Sequence, residues 1–273
     1  LPLSRKFIDG WPALIDAKLR AVLGDGAANN VGGGCSSADK VALMVGTSGA
    51  MRVVLQGNPP ERLASSLWSY RIDERRVVIG GALSDGGGLY HWLTDTLAID
   101  DRRKFEKELE AMSPDAHGLT ILPFWSGERS TGWTGDARGA ILGLTQRTTP
   151  VEIVRSAMEA IAYRFALISS ALKEVAPDAK VIATGNALRS SPVWSQILAD
   201  VLGERVLIGG SPEASIRGAA LLALEAVGKI GSIEEVTVPI EQVFEPGMTR
   251  HELYKQGLAR QEQYYRLLMS NML

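Results

Sequence analysis

Lys180-Val181-Ile182-Ala183 is a short apolar run halted by Thr184-Gly185-Asn186, and Val206-Leu207-Ile208 is a second, halted by Gly209-Gly210. Each has the length and branched composition of a buried strand. Between them Ser191-Pro192 opens a helix whose Trp194, Ile197, Leu198 and Val201 share a face, and Gly203 stops it. After them Ser211-Pro212-Glu213 opens another, which reaches Val227 and stops at Gly228. Strand, helix, strand, helix in this order requires parallel strands covered by helices. Upstream, Thr149-Pro150-Val151-Glu152 caps a long helix with apolar residues at Ile153, Ala157, Ile161, Ala162, Phe165, Ile168 and Leu172.

The first half reads differently. Val41-Ala42-Leu43-Met44-Val45 breaks at Gly46-Thr47-Ser48-Gly49 and resumes as Met51-Arg52-Val53-Val54-Leu55, a strand, tight turn and strand. Residues 67–72 and 76–79 read as further short strands, and glycines then cluster at Gly80-Gly81 and Gly86-Gly87-Gly88. An amphipathic stretch at 89–97, a charged surface helix at 101–112 and a C-terminal helix at about 250–268 follow. The expectation is one α/β domain, antiparallel strands first, with a mixed sheet flanked by helices.

Composition narrows the function classes. Lys and Arg total 29 against 31 Asp and Glu, a net charge of −2, so no basic excess holds a nucleic-acid backbone or an anionic membrane. The single Cys35 excludes an internal disulfide or a multi-cysteine zinc site, and His91, His117 and His251 are too dispersed for a metal cage. No apolar run approaches the roughly 18 residues of a membrane span, and Leu1-Pro2-Leu3-Ser4-Arg5-Lys6 leads into no signal region. A reduced, cytoplasmic protein is expected, and because the chain opens on Leu1, a piece of a longer one. Glycine stands at 29, against about 19 at ordinary usage.

The surplus concentrates at strand ends. Gly46-Thr47-Ser48-Gly49, Gly86-Gly87-Gly88 and Thr184-Gly185-Asn186-Ala187 are turns whose exposed backbone N–H groups suit phosphate. None is a Walker A or dinucleotide fingerprint, and a single such turn is most often only a tight bend. Asp25, between Gly24 and Gly26, reads either as an N-cap for the Ala-Asn stretch behind it or as a carboxylate open to a ligand. In the second reading it accepts a proton from a substrate hydroxyl, as a phosphotransferase requires. Ser37-Ala38-Asp39-Lys40 lacks the K-T-G partner of a penicillin-binding site, and His251-Glu252 lacks the second histidine of a zincin.

Taken in order, Gly24-Asp25-Gly26-Ala27-Ala28, Val45-Gly46-Thr47-Ser48-Gly49, Gly80-Gly81-Ala82-Leu83-Ser84-Asp85-Gly86-Gly87, Leu122-Pro123-Phe124-Trp125-Ser126-Gly127-Glu128-Arg129, Asp136-Ala137-Arg138-Gly139 and Thr184-Gly185-Asn186 with Trp194-Ser195-Gln196-Ile197-Leu198-Ala199-Asp200 form a set. The set resembles the C-terminal half of FGGY carbohydrate kinases, nearest to gluconate kinases and then xylulose kinases, over residues of about 20–230. The resemblance implies a ribonuclease H-like domain of the actin-like ATPase superfamily, with ATP and Mg²⁺ as cofactors. It implies Asp25 as catalytic base, Gly46 and Thr47 as the turn under the β- and γ-phosphates, and Gly87 and His91 beside the nucleotide. Gly185, Asn186 and Ser190 would line the adenosine pocket, with Gln196 behind, and no protein ligand to a metal is assigned.

Gln196, Ala199 and Asp200 equally fit a helix face packed on the sheet, and Glu128-Arg129 fit a salt-bridged loop anchor better than a ligand contact. The family usually has Gly where Asn186 stands, the non-glycine residue that best tolerates left-handed geometry. The family's N-terminal half, with a D-x-G-T-type phosphate loop and most of the sugar pocket, has no match here. The sugar or sugar acid would therefore be shared with that half, and this chain would be inactive alone. A homodimer is compatible with the resemblance. A non-catalytic nucleotide-binding module and a ligand-free structural domain are the competing classes.

Overall fold

The computed structural model describes residues 3–17, 23–211 and 213–269, without the side chain of Asn186. In chain order the elements are α1 (Arg5–Gly10), α2 (Asp25–Gly32), β1 (Lys40–Val45), β2 (Gly49–Gln56), β3 (Trp68–Arg71), β4 (Arg76–Leu83), α3 (Gly87–Thr96), α4 (Arg102–Ala111), β5 (Thr120–Leu122) and β6 (Ala140–Leu142). They continue with α5 (Pro150–Leu172), β7 (Lys180–Thr184), α6 (Asn186–Ser190), α7 (Pro192–Leu202), β8 (Val206–Gly209), α8 (Ala214–Ala226), β9 (Ile240–Phe244) and α9 (Met248–Met269). Seven strands form one mixed sheet in the order β3-β4-β2-β1-β7-β8-β9, and β5 and β6 form a separate pair. β1, β7 and β8 are parallel, as the strand–helix alternation requires, and β2, β3, β4 and β9 join antiparallel neighbours. Among the described residues no helix is long and apolar enough to cross a membrane.

Alternation along the strands gives the sheet two apolar faces. Val41, Leu43, Val45, Met51 and Val53 pack with α5 and α7, whose Phe165, Ile168, Trp194 and Ile197 are buried there. On the opposite face Ala27 of α2 packs on Val54 and Val78, and α8 lies against α2. The cap signals act as their chemistry predicts. Thr149 and Glu152 form a complete capping box, Ser191 accepts from the Trp194 amide, and Gly203 ends α7 in left-handed geometry at φ 67°. The start expected at Ser211-Pro212-Glu213 differs: α8 begins at Ala214, Glu213 occupies the cap position without a side-chain bond, and Pro212 lies outside the described residues.

Two further differences matter for the site. β4 does not end at Ile79 but runs through Gly80-Gly81 to Leu83. The glycines are there because the neighbours are close: a Cβ at Gly80 would stand 2.4 Å from the Met51 carbonyl oxygen, and one at Gly81 2.8 Å from Ile168. The pair β5/β6, the edge strand β9 and the short helices α1 and α6 carry no periodic signal of their own. α9 is tied across the molecule by Gln261, whose Nε2 donates to the carbonyls of Ile121 (2.9 Å) and Ala160 (3.1 Å).

α2 and α8 cross at glycines. A Cβ at Gly32 would fall 1.7 Å from the Ala214 carbonyl oxygen, and one at Gly218 1.8 Å from that of Ala28. No rotamer relieves a clash with backbone, so the two helices must separate. Gly32→Ala is expected to cost about 1–3 kcal/mol, read as a lowered denaturation midpoint in urea; unchanged stability would show that the crossing is not held at this distance.

Candidate functional site

β4 is antiparallel to β2 and β2 to β1, so β1, β4, β7 and β8 all end on the same edge of the sheet, where ligands of α/β proteins gather. The three glycine turns sit there. In the first, the Gly46 amide donates to the Ser48 carbonyl (2.9 Å) and turns β1 into β2, leaving Thr47 exposed at the tip. In the second, the amides of Gly86, Gly87 and Gly88 donate to the carbonyls of Thr47 (3.1 Å), Gly46 (2.7 Å) and Thr47 (3.0 Å). The expectation that these amides face a phosphate is therefore corrected: they are spent on the first turn. None of the described residues accepts from the amides of Thr47 or Ser48.

The third turn closes on the same place. Gly185, at φ 100°, precedes α6, and a Cβ on it would stand 2.4 Å from the Val45 carbonyl oxygen. Ala187 of α6 lies against Gly87. Asn186 opens α6, and its side chain, the subject of the sequence expectation, lies outside the described residues. Ser190 sits at the far end of α6, where its hydroxyl donates to the Ala187 carbonyl (3.2 Å). It borders a different groove, of about 600 Å³, with Glu106, Gln196, Asp200 and Arg250. Gln196 and Asp200 serve structure there: Gln196 donates to Asp200 and to the Glu245 carbonyl, and Asp200 holds the Gly247 amide and Arg250.

Thr47, Ser84, Asp85, Gly88, Trp125 and Ser126 border a cavity of about 410 Å³. Asp85 is buried and accepts from both the amide and the hydroxyl of Ser126, each at 2.9 Å. Burial raises its carboxyl above the ordinary value, against the bonds from Ser126 and the charge of Arg129. The loop carrying Ser126 is held from behind by Glu128, which pairs with Arg164 (2.5 Å) and accepts from Tyr265 (2.7 Å). The anchor reading of Glu128 is the one the packing bears out, while Arg129 is exposed.

Asp25 is exposed and is the first residue of α2; Gly24 occupies the cap position, so the N-cap reading is corrected. Its Oδ1 accepts from the adjacent Gly26 amide at 2.7 Å. α2 is pinned to β2 by Asn30, whose Nδ2 donates to the Arg52 carbonyl (3.1 Å). The Arg52 side chain reaches the first turn of α2, with its Cζ 3.2 Å from where a Gly26 Cβ would lie. Arg52 is the fourth residue of β2, whose first residue, Gly49, adjoins the Thr47 tip. Asp25 and the Thr47 bend are thus joined by a few residues of one strand. Arg129 links the regions again, its charge being felt by both Arg52 and Asp85.

Arg52 and Tyr70 beside Asp25 lie outside every motif read from the sequence, and Asp85 and Ser126 beside Thr47 lie within two of them without an assigned role; all four border the candidate site. One signal was available: Arg52 is a charged residue within an otherwise apolar strand.

With this geometry in place, the comparisons agree on a class. The model of the FGGY family of carbohydrate kinases, C-terminal domain, matches residues 41–227. The chain belongs to that family. It is 32% identical over 270 residues to a gluconokinase of Bacillus licheniformis, covering 93% of this chain and 50% of that protein. Its fold matches a xylulose kinase of Lactobacillus acidophilus (TM-score 0.86) and a gluconate kinase of the same organism (TM-score 0.85). Each is 24% identical, and each match covers 98% of this chain and 55% of the other. The fold is that of the actin-like ATPases, and the chain spans about half the length of the curated relatives it matches.

Buried Asp85 and the partly buried Asp73 and Glu225 make a titration prediction with opposite signs. Asp85, raised in the fold, favours the folded state below the ordinary carboxylate value and loses that contribution as pH rises through its folded value. At Asp73 and Glu225 burial also pushes upward, but bonds from Arg76 and from backbone amides outweigh it and hold both carboxyls low. Their contribution is present above the unfolded value and is lost as pH falls through the folded one. Carboxyl carbon-13 titration is expected to place the Asp85 midpoint above, and the Asp73 and Glu225 midpoints below, those of exposed carboxylates. The reverse order would contradict the burial of Asp85.

Proposed function

We propose that this chain is the nucleotide-binding half of an ATP-dependent carbohydrate kinase, with a sugar acid of the gluconate type as first acceptor and a ketose of the xylulose type as second. The observation that carries this reading is the joining of an exposed carboxylate, Asp25, to a hydroxyl-bearing bend, Thr47, along one strand at the ligand-binding edge of the sheet. The gluconokinase likeness over nearly the whole chain supports it.

In this reading Asp25 accepts the proton of the acceptor hydroxyl as that oxygen attacks phosphorus. The unspent amides of Thr47 and Ser48 and the Thr47 hydroxyl would meet the phosphate oxygens at the bend that Gly46 begins, and Gly87 lets the second turn close under it, a Cβ there standing 2.7 Å from the Gly46 carbonyl oxygen. The Gly185 turn supports the nucleoside side, with Asn186 and Ser190 following it. The donor set fits such a ligand: a tip with unspent amides, and beside it the carboxylate of Asp85 lining the same cavity, which would hold a Mg²⁺ through its hydration shell. Mg²⁺-bound ATP would supply the phosphoryl group and neutralise charge growing on its oxygens. Catalysis is then mostly positioning, and a second, N-terminal half would supply the other wall, the first phosphate loop and most of the sugar pocket.

The purified 273-residue chain is expected to melt at a higher temperature with ADP or ATP, because a ligand of the folded state stabilises it, and to show no phosphorylation of gluconate or xylulose. In the protein that joins this chain to its N-terminal half, Asp25→Asn should lower turnover about 10²–10⁴-fold while ATP affinity stays within a few-fold. Unchanged turnover would give the base role to another residue.

A further inference from the structure

Arg52 takes no part in the chemistry assigned to Asp25 and Thr47, yet its state is unusual for a buried cation. It is 8% exposed, and its Nε and Nη1 are buried without a hydrogen-bond partner. Among the described residues the other buried arginines are committed: Arg76 to Asp73 and Glu225, Arg155 to Glu159 and Tyr254, Arg164 to Glu128 and Glu262. A buried charge with no counter-charge is costly, and a guanidinium fork is shaped to take a carboxylate through two parallel N–H bonds.

The surroundings point the same way. Asp25 is near enough for its charge to act on Arg52, but no ion pair within 4.0 Å joins them, so the carboxylate that serves as base leaves the guanidinium unneutralised. Gly26, between them along the chain, leaves the room a side chain would take: its Cβ would stand 3.2 Å from the guanidinium and 3.0 Å from the Tyr70 hydroxyl. Exposed Arg129 adds a second positive charge to the same rim. Tyr70 covers Arg52 from the edge strand β3; it is 37% exposed and stacks on Trp68 at 5.2 Å, so it has solvent to turn into.

We propose that Arg52 is the specificity-determining residue of the site and receives the carboxylate of an anionic acceptor, with Tyr70 turning aside to admit it. The proposal deepens the kinase reading and rests on it. A straight-chain sugar acid bears its carboxylate at one end and its terminal hydroxyl at the other, so in this proposal the first pairs with Arg52 while the second is presented to Asp25. A neutral polyol of the same length leaves the guanidinium unpaired, and that difference discriminates between the two.

The test compares D-gluconate with D-glucitol, which has a hydroxymethyl group in place of the carboxylate, in the protein joining this chain to its N-terminal half. Wild type is expected to prefer gluconate. In Arg52→Gln the ratio of kcat/KM for gluconate over glucitol should fall roughly 10²–10³-fold, mainly through KM for gluconate. Arg52→Lys, which keeps the charge and loses the fork, guards against a folding failure and should show a smaller fall in the same ratio. An unchanged ratio in Arg52→Lys or in a folded Arg52→Gln overturns the assignment, and a parallel loss on both acceptors gives Arg52 to the transferring phosphoryl group instead. A wild type that phosphorylates glucitol as well as gluconate also overturns it, with the kinase reading intact. A wild type that phosphorylates neither these nor D-xylulose removes both.

Discussion

The amides of Gly86, Gly87 and Gly88 point into the carbonyls of Gly46 and Thr47 at distances that leave no room for a side chain on the second turn. Much of the site follows from that contact. It sets where α3 begins, holds the β1–β2 bend low, and turns the Thr47 tip outward over the cavity that Asp85 and Ser126 border. The third turn closes against the same strand end, where Gly185 adopts a left-handed φ over the Val45 carbonyl. Each backbone bond of this kind is modest in net terms, about 1 kcal/mol. Leaving one unmade in a buried turn costs more, so the turns hold their arrangement together or lose it together.

Behind this backbone arrangement stands a second layer of buried charge. Arg164 gathers Glu128, Thr131 and Glu262 and lies over the rings of Phe124 and Tyr265, tying the loop that carries Ser126 to α5 and α9. Arg155 joins Glu159, Tyr254 and the Leu109 carbonyl, fastening α4 and α9 to α5. Such clusters add little to stability relative to an apolar core of the same shape, but they are costly to break singly. Their effect is to fix loop positions relative to the sheet. Arg52 stands apart among these arginines: its Nε and Nη1 are buried without a hydrogen-bond partner, so its guanidinium ties no loop to the sheet.

Much of the architecture could be read residue by residue. The Thr149–Glu152 capping box, the Ser191 cap and Gly203 stop, and the apolar runs ending at Thr184 and Gly209 all act through neighbours a few residues away, so their signals lie within short windows. Other features escaped for the opposite reason. Gly80 and Gly81 look like strand breakers, and only the nearness of Met51 and Ile168 shows that they sit inside β4 because the chain passes close by. Asp25 reads equally well as a cap or a ligand group, and the choice fell to Gly24 taking the cap position. Ser190 is close to Gly185 in the chain, yet it borders a separate groove.

The amino-acid sequence by itself determined the α/β class, the order of the main strands and helices, and the three glycine turns, with Thr47 in the first of them and Asp25 apart from all three as candidates for the chemistry. Local periodicity, caps and turn residues encode these through short-range sterics and hydrogen bonding. Tertiary structure alone decided which turn amides are spent and which are left at the tip, which arginines have partners, and which strand joins the carboxylate to the bend. Those outcomes depend on pairings between residues far apart in the chain, such as Gly87 with Gly46 and Asn30 with Arg52. No window of sequence contains both partners together with the distance between them.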